Sequence, residues 1–475
     1  MIVILTQREF ERMRIEEDCI GKLELEDNVL YGIHSKRAVS NFPISAERVH
    51  TLIIESLLQI KKAASQANYA AGTLSAVKAR AINEACYELL QGKNAEAFIV
   101  PAIQGGAGTS SNMSVNEVIA HLANQRTHKQ LIHPNDDVNQ AQSTNDTFPT
   151  AGKMAMLKLL PGLLSALTDM IEVMLKKAFE FSNTLKVART QLQDAVPTTL
   201  GRSFHAYYAL FKRDLKRIEH AAQGLNYVNL GGTAIGTGIN ASELYQQKIV
   251  PLLNRETDLQ LQLAPDLIDA TQNCDVFVEF SGALKSLAVD LSKTSNDLRM
   301  LASGPRAGFN EISLPKKQAG SSIMPGKINP VIPEVVNQVA FEVMGNDVTV
   351  TLAAEAGQLE LNAFEPIIFK RLLESEEHLT GAIKTLTSNC LNGLKANEEK
   401  CAADIENSIA AATVLTPYLG YEKTTRLVKE AIAKNISVKE ILKANKLLSQ
   451  CKIKELFSKE KLIHQHSSEK IGNLV

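Results

Sequence analysis

The 475-residue chain contains no tryptophan, and aromatic residues make up only 5% of it. Base-stacking surfaces that bind nucleic acid depend on aromatic rings, so this class of partner is disfavoured. An excess of charge of one sign is also missing, because 51 lysines and arginines face 52 aspartates and glutamates. This balance gives no electrostatic attraction to nucleic acid or to an anionic membrane. The composition therefore predicts no nucleic-acid partner and no membrane partner.

Cysteines at metal-binding or redox spacing are missing as well. The six cysteines form no CxxC and pair with no histidines at zinc spacing, so we expect free thiols in a reducing cytosol. The opening MIVIL is followed at once by TQREFERMR, which is not the order of a signal peptide. No run approaches the ~18 apolar residues of a membrane helix. The expectation is a soluble, cytoplasmic protein.

The length exceeds what one hydrophobic core supports, since single cores stop growing at about 250–300 residues. Loop-forming residues dominate up to about residue 45, and residues 46–100 are predicted to be helical in two or three pieces. We predict an all-α chain of three domains. They are residues 1–143, mostly helical, residues 144–399, a central bundle of long helices, and residues 400–475, a small C-terminal helical domain.

Three stretches of the central region have the pattern of long helices. From Leu164 to Phe181, apolar residues recur in alternating steps of three and four, as on one face of a helix. Residues 281–302 repeat the scheme until SGPRAG stops the helix. Residues 334–353 are almost uncharged, and a helix that is apolar nearly all round is buried in a bundle or against other subunits. We expect both kinds of burial for this helix.

Four polar, irregular segments interrupt the helices. They are GGAGTSSN (105–112), QSTND (142–146), ARTQLQDAVPTT (188–199) and GSSIMPGKINP (320–330). Each places Ser, Thr or Asn at or near an expected helix start, where ordinary N-capping is one explanation. Ligand binding is the other, because several converging helix N-termini bind anions such as carboxylates. Neither GxxxxGK[ST] nor GxGxxG after a strand is present, so the implied ligand is a small polyanion rather than a phosphate-rich cofactor.

The loop GSSIMPGKINP contains two serines and a lysine but no histidine. A serine acts as a base only where backbone N–H groups and a nearby ammonium stabilise its oxyanion in a site closed to water. The loop supplies both, because Lys327 lies six residues after Ser321. Gly320 and Gly326 suit a flap that closes over a substrate, although a plain Gly/Pro-rich connector is the alternative. Asn329, which precedes a proline, is predicted to cap the next helix.

The same loop resembles the signature GSSxMPxKxNP of the aspartase/fumarase superfamily. Four more segments follow the family's order and approximate spacing: GGAGTSSNMSVNE, NDDVNQAQSTNDTFPT, ARTQLQDAVPTTLG and NLGGTAIGTGIN. The likeness runs from about Arg14 to about residue 470. Beyond the loop, NPVIPEVVNQVAFEVMGND and AAEAGQLELN are similar to the aspartate ammonia-lyases of this superfamily rather than to its fumarases. The resemblance implies a homotetramer in which each site takes segments from three subunits.

The resemblance also implies a role for each matched position. Ser321 would be the base that removes a proton from the carbon beside the β-carboxylate, and the backbone N–H of Ser322 would help to stabilise its oxyanion. Lys327 and Asn329 would hold a substrate carboxylate once the loop closes. Glu334 matches a carboxylate that orients a histidine in relatives that have one. The remaining substrate-binding positions are Thr109, Ser110, Ser143, Thr144, Asn145, Thr190 and Gln191.

No organic cofactor and no metal ligands are implied by these residues, although divalent metal (Mg²⁺) activation is a tendency of some aspartases. Gln191 departs from the THLQDA of fumarases, which have a histidine there. Expelling hydroxide from malate needs a strong proton donor, whereas an ammonium group already carries its proton and leaves as ammonia. The sequence therefore predicts reversible conversion of L-aspartate to fumarate and ammonia through an enediolate.

Several alternatives remain open at this stage. A class II fumarase is the first, followed by lyases that act on argininosuccinate or adenylosuccinate. A non-catalytic relative that serves as a binding scaffold is the alternative outside the enzymes.

Overall fold

Helices dominate the structure, a computed structural model that describes residues 13–463, so the all-α prediction is confirmed. The elements up to residue 180 are β1 (Met13–Asp18), β2 (Gly21–Glu26), α1 (Ile33–Asn41), α2 (Thr51–Ala70), α3 (Ala76–Leu90), α4 (Thr109–Thr127) and α5 (Thr144–Glu180). Those from 185 to 301 are β3 (Leu185–Thr190), β4 (Gln193–Thr199), α6 (Leu200–Ala222), β5 (Tyr227–Val228), α7 (Glu243–Thr257), β6 (Gln262–Leu263), α8 (Asp269–Gln272) and α9 (Asp275–Leu301). The rest are β7 (Ile312–Ser313), α10 (Val331–Glu355), α11 (Glu365–Leu386), β8 (Lys395–Ala396), α12 (Glu398–Asn407), α13 (Thr416–Leu419), α14 (Tyr421–Lys434), α15 (Val438–Ala444), α16 (Gln450–Leu456) and α17 (Lys459–Ile463).

The N-terminal region departs from the prediction of a loop up to about residue 45. Strands β1 and β2 pair antiparallel around a tight turn, in which Asp18 Oδ1 accepts the N–H of Ile20 at 2.9 Å, and α1 follows. The guanidinium of Arg14 donates to the carbonyls of Val29 and Tyr31, both at 2.7 Å. The hairpin was missed because its strands are mostly charged, and side-chain bonds rather than an apolar face hold it.

The chain divides into two compact units, each assembled from three separate stretches. Of the described residues, the first unit comprises 13–163, Arg217–Lys285 and Glu342–His378. The second comprises Leu164–Lys216, Ser286–Phe341 and 379–463. The three predicted domains with boundaries at 143/144 and 399/400 stay a prediction.

In the first unit, α2 packs against α3 and α7, and α3 packs against α4. Rings of Phe148 and Phe277 lie 5.2 and 5.1 Å from that of Phe369, and all three side chains are buried. Aromatic contacts at this separation add to the free energy of area burial. Because Phe148 stands in the first turns of α5, this cluster fixes the start of that helix.

In the second unit, the predicted apolar face of α5 is buried, with Leu164 half-buried. Its fully buried members are Leu167, Ile171, Met174, Ala178 and Phe181. Phe204 of α6 lies 5.4 Å from Phe181, ring centre to ring centre. Helix α9 ends at Leu301, with one residue between it and the segment SGPRAG that was predicted to stop it. The last helices share a core of their own, built on Leu415, Leu427, Ile441, Leu442, Ile453 and Leu456.

Helix α5 is apolar on average, although it contains no uninterrupted apolar run of ~18 residues. Within residues 13–463 it is the one helix that is long and apolar enough, by length and composition, to cross a membrane. Half of its most apolar window is buried inside the chain, as in the core helix of a soluble protein. The expectation of no membrane helix was based on uninterrupted runs, and Lys158 and Asp169 interrupt the run without making the average polar.

Candidate active site

The first predicted segment forms the start of α4, as expected. Thr109 is the first residue of this helix and is exposed, while Ser110 is half-buried. The preceding Gly108 has a φ of 86°, and a Cβ there would lie 2.3 Å from the Phe148 ring. Only glycine therefore permits this entry into the helix. Ser111 is held in the first turn of α4 because its N–H and its hydroxyl both donate to the side-chain oxygen of Gln104.

The second segment forms the start of α5. The hydroxyl of Ser143 accepts the N–H of Asn145 at 3.2 Å, and Asp146 Oδ1 accepts the N–H of Ser143 at 2.9 Å. This reciprocal pairing caps the helix, so N-capping accounts for part of the motif. The amide of Asn145 donates to the carbonyl of Ala234, and Thr144 is buried.

Asn112 joins these two segments. Its amide nitrogen donates to Thr144 Oγ1 at 3.2 Å and to Asn139 Oδ1 at 3.1 Å, and its oxygen accepts the Thr147 hydroxyl at 3.2 Å. Asn112 lies three residues after Thr109, on the first turn of α4. The starts of α4 and α5 therefore converge, as anion binding by helix N-termini requires.

A fully buried lysine supports this arrangement and was missed by sequence reasoning. Lys61 Nζ donates to Asn139 Oδ1 and Gln142 Oε1, both at 2.9 Å. Burial lowers the pKa of Lys61 to about 7, although the carboxylate of Asp146 opposes this shift. In the sequence, Lys61 is followed by a second lysine within α2, and nothing in this pattern predicts that Lys61 is buried.

Asp146 is the fully buried carboxylate of the same region. Its Oδ2 accepts the N–H groups of Gly231 and Thr233, both at 3.0 Å, which belong to the segment NLGGTAIGTGIN. Burial raises the pKa of Asp146 to about 6, against the effect of these N–H groups and of the Lys61 charge. Asp146 thereby connects the start of α5 to the segment NLGGTAIGTGIN without contacting solvent.

Most of the third predicted segment forms a β-hairpin, and only its last residue, Thr199, stands at a helix start as predicted. Thr190 ends β3, Gln193 begins β4, and the two residues between them, Gln191 and Leu192, have φ values of 53° and 64°. Positive φ at both turn positions suits the twist of a two-residue hairpin, but it is strained for residues other than Gly, Asn and Asp. The next helix starts at Leu200. Thr190 and Gln191 are therefore exposed at the tip of the hairpin.

The hairpin was not predicted because β3 has only a weak strand pattern. Residues 185–190, LKVART, alternate in burial only partly, and the β-branched Val187 is the buried centre of the strand. The capping threonine is Thr199, whose hydroxyl accepts the N–H of Arg202 at 3.3 Å. Helix α6 thus starts about ten residues beyond Thr190, so N-capping does not explain the presence of Thr190 and Gln191 at the tip of the hairpin.

In the serine loop, backbone N–H groups point at the hydroxyl oxygen of Ser321. That oxygen accepts the N–H of Ile323 at 3.1 Å and the N–H of Met324 at 2.9 Å. The donors lie one and two residues beyond Ser322, whose own N–H was the expected donor. Preorganised N–H groups of this kind stabilise an oxyanion.

Two bonds close the base of the loop. The N–H of Gly320 donates to the carbonyl of Lys327 at 2.8 Å, and the amide of Asn329 donates to the carbonyl of Gly320 at 2.9 Å. Between them the loop is open to solvent, with Ile323 86% exposed and Lys327 exposed. Asn329 therefore holds the loop in this state, while Lys327 is accessible to a ligand.

Helix α10 begins just beyond the loop at Val331, within two residues of the predicted cap Asn329. Glu334 stands half-buried in its first turn. The starts of α4 and α5 belong to the first unit, whereas the hairpin and the serine loop belong to the second. Within the chain, the structure brings together the first two predicted segments.

Comparisons with known proteins identify the family of this chain. The family described as "Lyase" matches residues 21–345, and the one described as "Fumarase C C-terminus" matches residues 412–464. A Helicobacter pylori protein named aspartate ammonia-lyase is 47% identical over 96% of this chain and 99% of its own length. A Pseudomonas aeruginosa protein of the same name is 48% identical over 95% and 97%.

Solved structures show the same fold. A fumarate lyase:delta crystallin from Brucella melitensis bound to cobalt has a TM-score of 0.90 at 45% identity, over 94% of this chain and 98% of its own. A class II fumarase from Schistosoma mansoni has a TM-score of 0.92 at 32% identity, over 96% and 100%. The chain therefore belongs to the lyase family that includes the aspartate ammonia-lyases and the class II fumarases.

Proposed function

We propose that this protein is an aspartate ammonia-lyase that reversibly converts L-aspartate to fumarate and ammonia. The relatives that bear this name, at 47–48% identity over nearly the whole chain, support the reaction. The observation that carries the mechanism is the pair of N–H groups at the hydroxyl oxygen of Ser321. They would stabilise the alkoxide that a serine base requires.

In the proposed first step, the Ser321 alkoxide takes a proton from the β-carbon of L-aspartate. The electron pair of that C–H bond moves into the β-carboxylate, which becomes an enediolate with about two negative charges. Positioned N–H and hydroxyl donors gain most strength where charge develops, so they lower this barrier. The exposed ammonium of Lys327 would approach the same charge when the loop closes.

In the second step, the enediolate collapses to the Cα–Cβ double bond and the C–N bond breaks. Its electron pair leaves with nitrogen, so the ammonium departs as neutral ammonia and fumarate remains. Ser321 then returns its proton to solvent or to ammonia. Because the leaving group needs no proton, the amide of Gln191 would bind the substrate rather than act as an acid.

The helix starts supply the substrate-binding groups. Thr109 and Ser110 at α4, and Ser143, Thr144 and Asn145 at α5, would hold a carboxylate with N–H and hydroxyl donors. The hairpin tip would add Thr190 and Gln191. Neutral donors bind the dianionic product without an excess of positive charge that would retain it.

We also propose a homotetramer in which three subunits contribute segments to each site. On α10, Val336, Val343 and Val350 are buried within the chain at intervals of seven residues. A second apolar stripe at helical spacing is exposed on the same helix. It consists of Phe341 (61% accessible), Val348 (58%) and Leu352 (63%). Such a stripe matches the seam between packed helices, and a second copy of the chain would cover it.

The assembly has a direct test. Phe341→Asp combined with Leu352→Asp should separate the subunits in sedimentation velocity, with loss of turnover because the sites are shared. Tyr421→Asp, at another exposed aromatic residue (79% accessible), is the matched control and should leave the assembly intact. A fully active monomer would contradict shared sites.

No organic cofactor takes part in the proposed steps. Within residues 13–463, no three His, Cys, Asp or Glu side chains form a group that could hold a metal ion, and no step is assigned to one. Activation by Mg²⁺ therefore stays an expectation from the family. We propose a cytoplasmic location, which the six unpaired cysteines support because thiols persist in a reducing compartment.

The decisive experiment follows the ultraviolet absorbance of fumarate after purified protein is mixed with L-aspartate, L-malate or argininosuccinate. We expect rapid fumarate formation from aspartate alone. Hydration of fumarate about as fast as deamination of aspartate would favour the fumarase alternative. Product from none of the three substrates would favour the non-catalytic scaffold.

A further inference from the structure

A buried carboxylate lies behind the hairpin that carries Thr190 and Gln191. The side chain of Glu311 has no exposed surface. Lys186 Nζ lies 3.0 Å from its Oε2, and the guanidinium of Arg189 donates to its Oε1. Both cations belong to β3, the strand that ends at Thr190.

Arg189 is held on two further sides. Its guanidinium carbon lies 4.3 Å from the centre of the Phe309 ring, and its Nη2 lies 3.9 Å from Asp404 Oδ2. A planar guanidinium that is both stacked and ion-paired has little freedom to reorient. Because Arg189 directly precedes Thr190, its position constrains the tip of the hairpin.

The backbone of Glu311 is itself fixed from both directions. Its N–H donates to the carbonyl of Leu301 at 2.9 Å, and its carbonyl accepts the N–H of Asn397 at 2.9 Å. The next residues form β7, which pairs with β8. The backbone that carries the Glu311 carboxylate is therefore fixed in position.

The hairpin is packed through Val187, which lies in a buried apolar cluster with Ile405 and Ala410, and it borders a pocket that is open to solvent. This pocket, of about 340 Å³, is lined by Lys186, Arg189, Leu192 and Phe309 among others. Buried ion pairs are costly to form, and apolar residues of similar size often give equal stability. The ion pairs therefore supply a fixed geometry on the side of the hairpin that faces this pocket.

We propose that Glu311 is a positioning residue for the reaction, which through Lys186 and Arg189 fixes Thr190 and Gln191 against the substrate. The inference rests on the proposed function, since it assigns a substrate-binding role to the tip of the hairpin. Small displacements of binding groups reduce rates strongly, by about 10²-fold for 1 Å.

A double-mutant cycle tests this role. Glu311→Gln keeps the shape of the side chain but removes its charge, and we expect kcat/KM for aspartate to fall about tenfold or more. In a Thr190→Ala/Gln191→Ala background, the same substitution should change kcat/KM less than about twofold, because the groups it positions are gone. If Glu311→Gln lowers kcat/KM by the same factor in both backgrounds, the proposal is overturned.

A buried glutamate elsewhere controls for general destabilisation. Glu376 is also fully buried, and Glu376→Gln should act equally in both backgrounds. If Glu311→Gln does not fold, the same cycle is measured with Arg189→Lys. Lysine keeps the positive charge but lacks the planar guanidinium that pairs with Glu311 and stacks on Phe309. Wild-type protein that forms no fumarate from aspartate would refute the proposed function itself, whereas an active wild type with independent losses refutes only the positioning role.

Discussion

Ser321, the proposed base, has donors placed to activate it without a histidine. Its oxygen accepts two N–H groups from the residues that follow it, at 2.9 and 3.1 Å. Serine bases and nucleophiles usually need an adjacent base to remove their proton. In the proposed mechanism the donors would favour the alkoxide directly, and loop closure would remove the competing water.

The first prediction concerns this residue. Ser321→Ala should lower kcat by about 10³-fold or more, since it removes the proton acceptor while leaving the donors in place. Ser322→Ala is the matched control at the neighbouring exposed serine, and its effect should be far smaller. Turnover is measured by fumarate absorbance, and sedimentation checks the assembly. Near-wild-type turnover of Ser321→Ala would remove it from the base role.

Gln191 gives the second prediction, which concerns the leaving group. Gln191→His places a proton donor at the tip of the hairpin, so the ratio of fumarate hydration to aspartate deamination should rise about tenfold or more. Leu192→His, one residue along the same exposed turn, is the control. The two rates are measured on the same preparation. An unchanged ratio would mean that the amide does not select the leaving group.

At the scale of elements, periodic apolar patterns predicted the long helices well. Helices α5, α9 and α10 appear where the spacing of Leu, Ile, Val and Met requires them, because one side of each must be buried. The two hairpins, β1–β2 and β3–β4, were missed because their strands are short and largely polar. Their pairing depends on partners such as Arg14 and Glu311, which local periodicity does not reveal.

The serine loop gives an element-scale prediction. A Cβ at Gly320 would lie 2.4 Å from the carbonyl oxygen of Lys327, the group that accepts the Gly320 N–H. Gly320→Ala should therefore open the base of the loop and lower kcat/KM by about 10²-fold. The melting temperature should change little, because the loop is exposed. Gly162→Ala, which has nothing within 4 Å of its Cβ, is the control; wild-type kinetics for Gly320→Ala would show that this closure is dispensable.

For the whole molecule, the sequence pointed to the polar segments of the candidate site but not to the buried residues that hold them in place. The polar segments were visible because Gly, Ser, Thr and Asn cluster between apolar helices. Lys61 and Asn139, which are 78 residues apart, meet only in the folded chain. Glu311 and Arg189 are 122 residues apart. Such contacts depend on tertiary structure, so neither composition nor spacing could predict them.

Stability of the whole molecule should depend on pH through Glu365. Full burial raises the pKa of Glu365 to about 8, from an ordinary value of 4.5, with Lys153 opposing the shift. Between these values the unfolded chain loses a proton that the fold retains, so this group lowers the free energy of unfolding by about 1.4 kcal/mol per pH unit as pH rises. Its contribution is most favourable below pH 4.5 and is lost by about pH 8.

Glu365→Gln removes this dependence. The melting temperature of the variant, relative to wild type at equal protein concentration, should rise steadily from pH 5 to pH 8. Glu460→Gln, at an exposed glutamate, should show no such trend. A constant difference between variant and wild type across this range would show that Glu365 is ionised in the fold.

The turn around Ser321 has a consequence for the catalytic cycle. The oxygen and both of its N–H donors lie within four consecutive residues, 321–324, so they travel as one body when the loop moves. Opening to release fumarate would carry the base away from the substrate without dismantling the groups that activate it. Each new turnover would then begin with a base that is already assembled, and only its distance to the substrate would need to be restored.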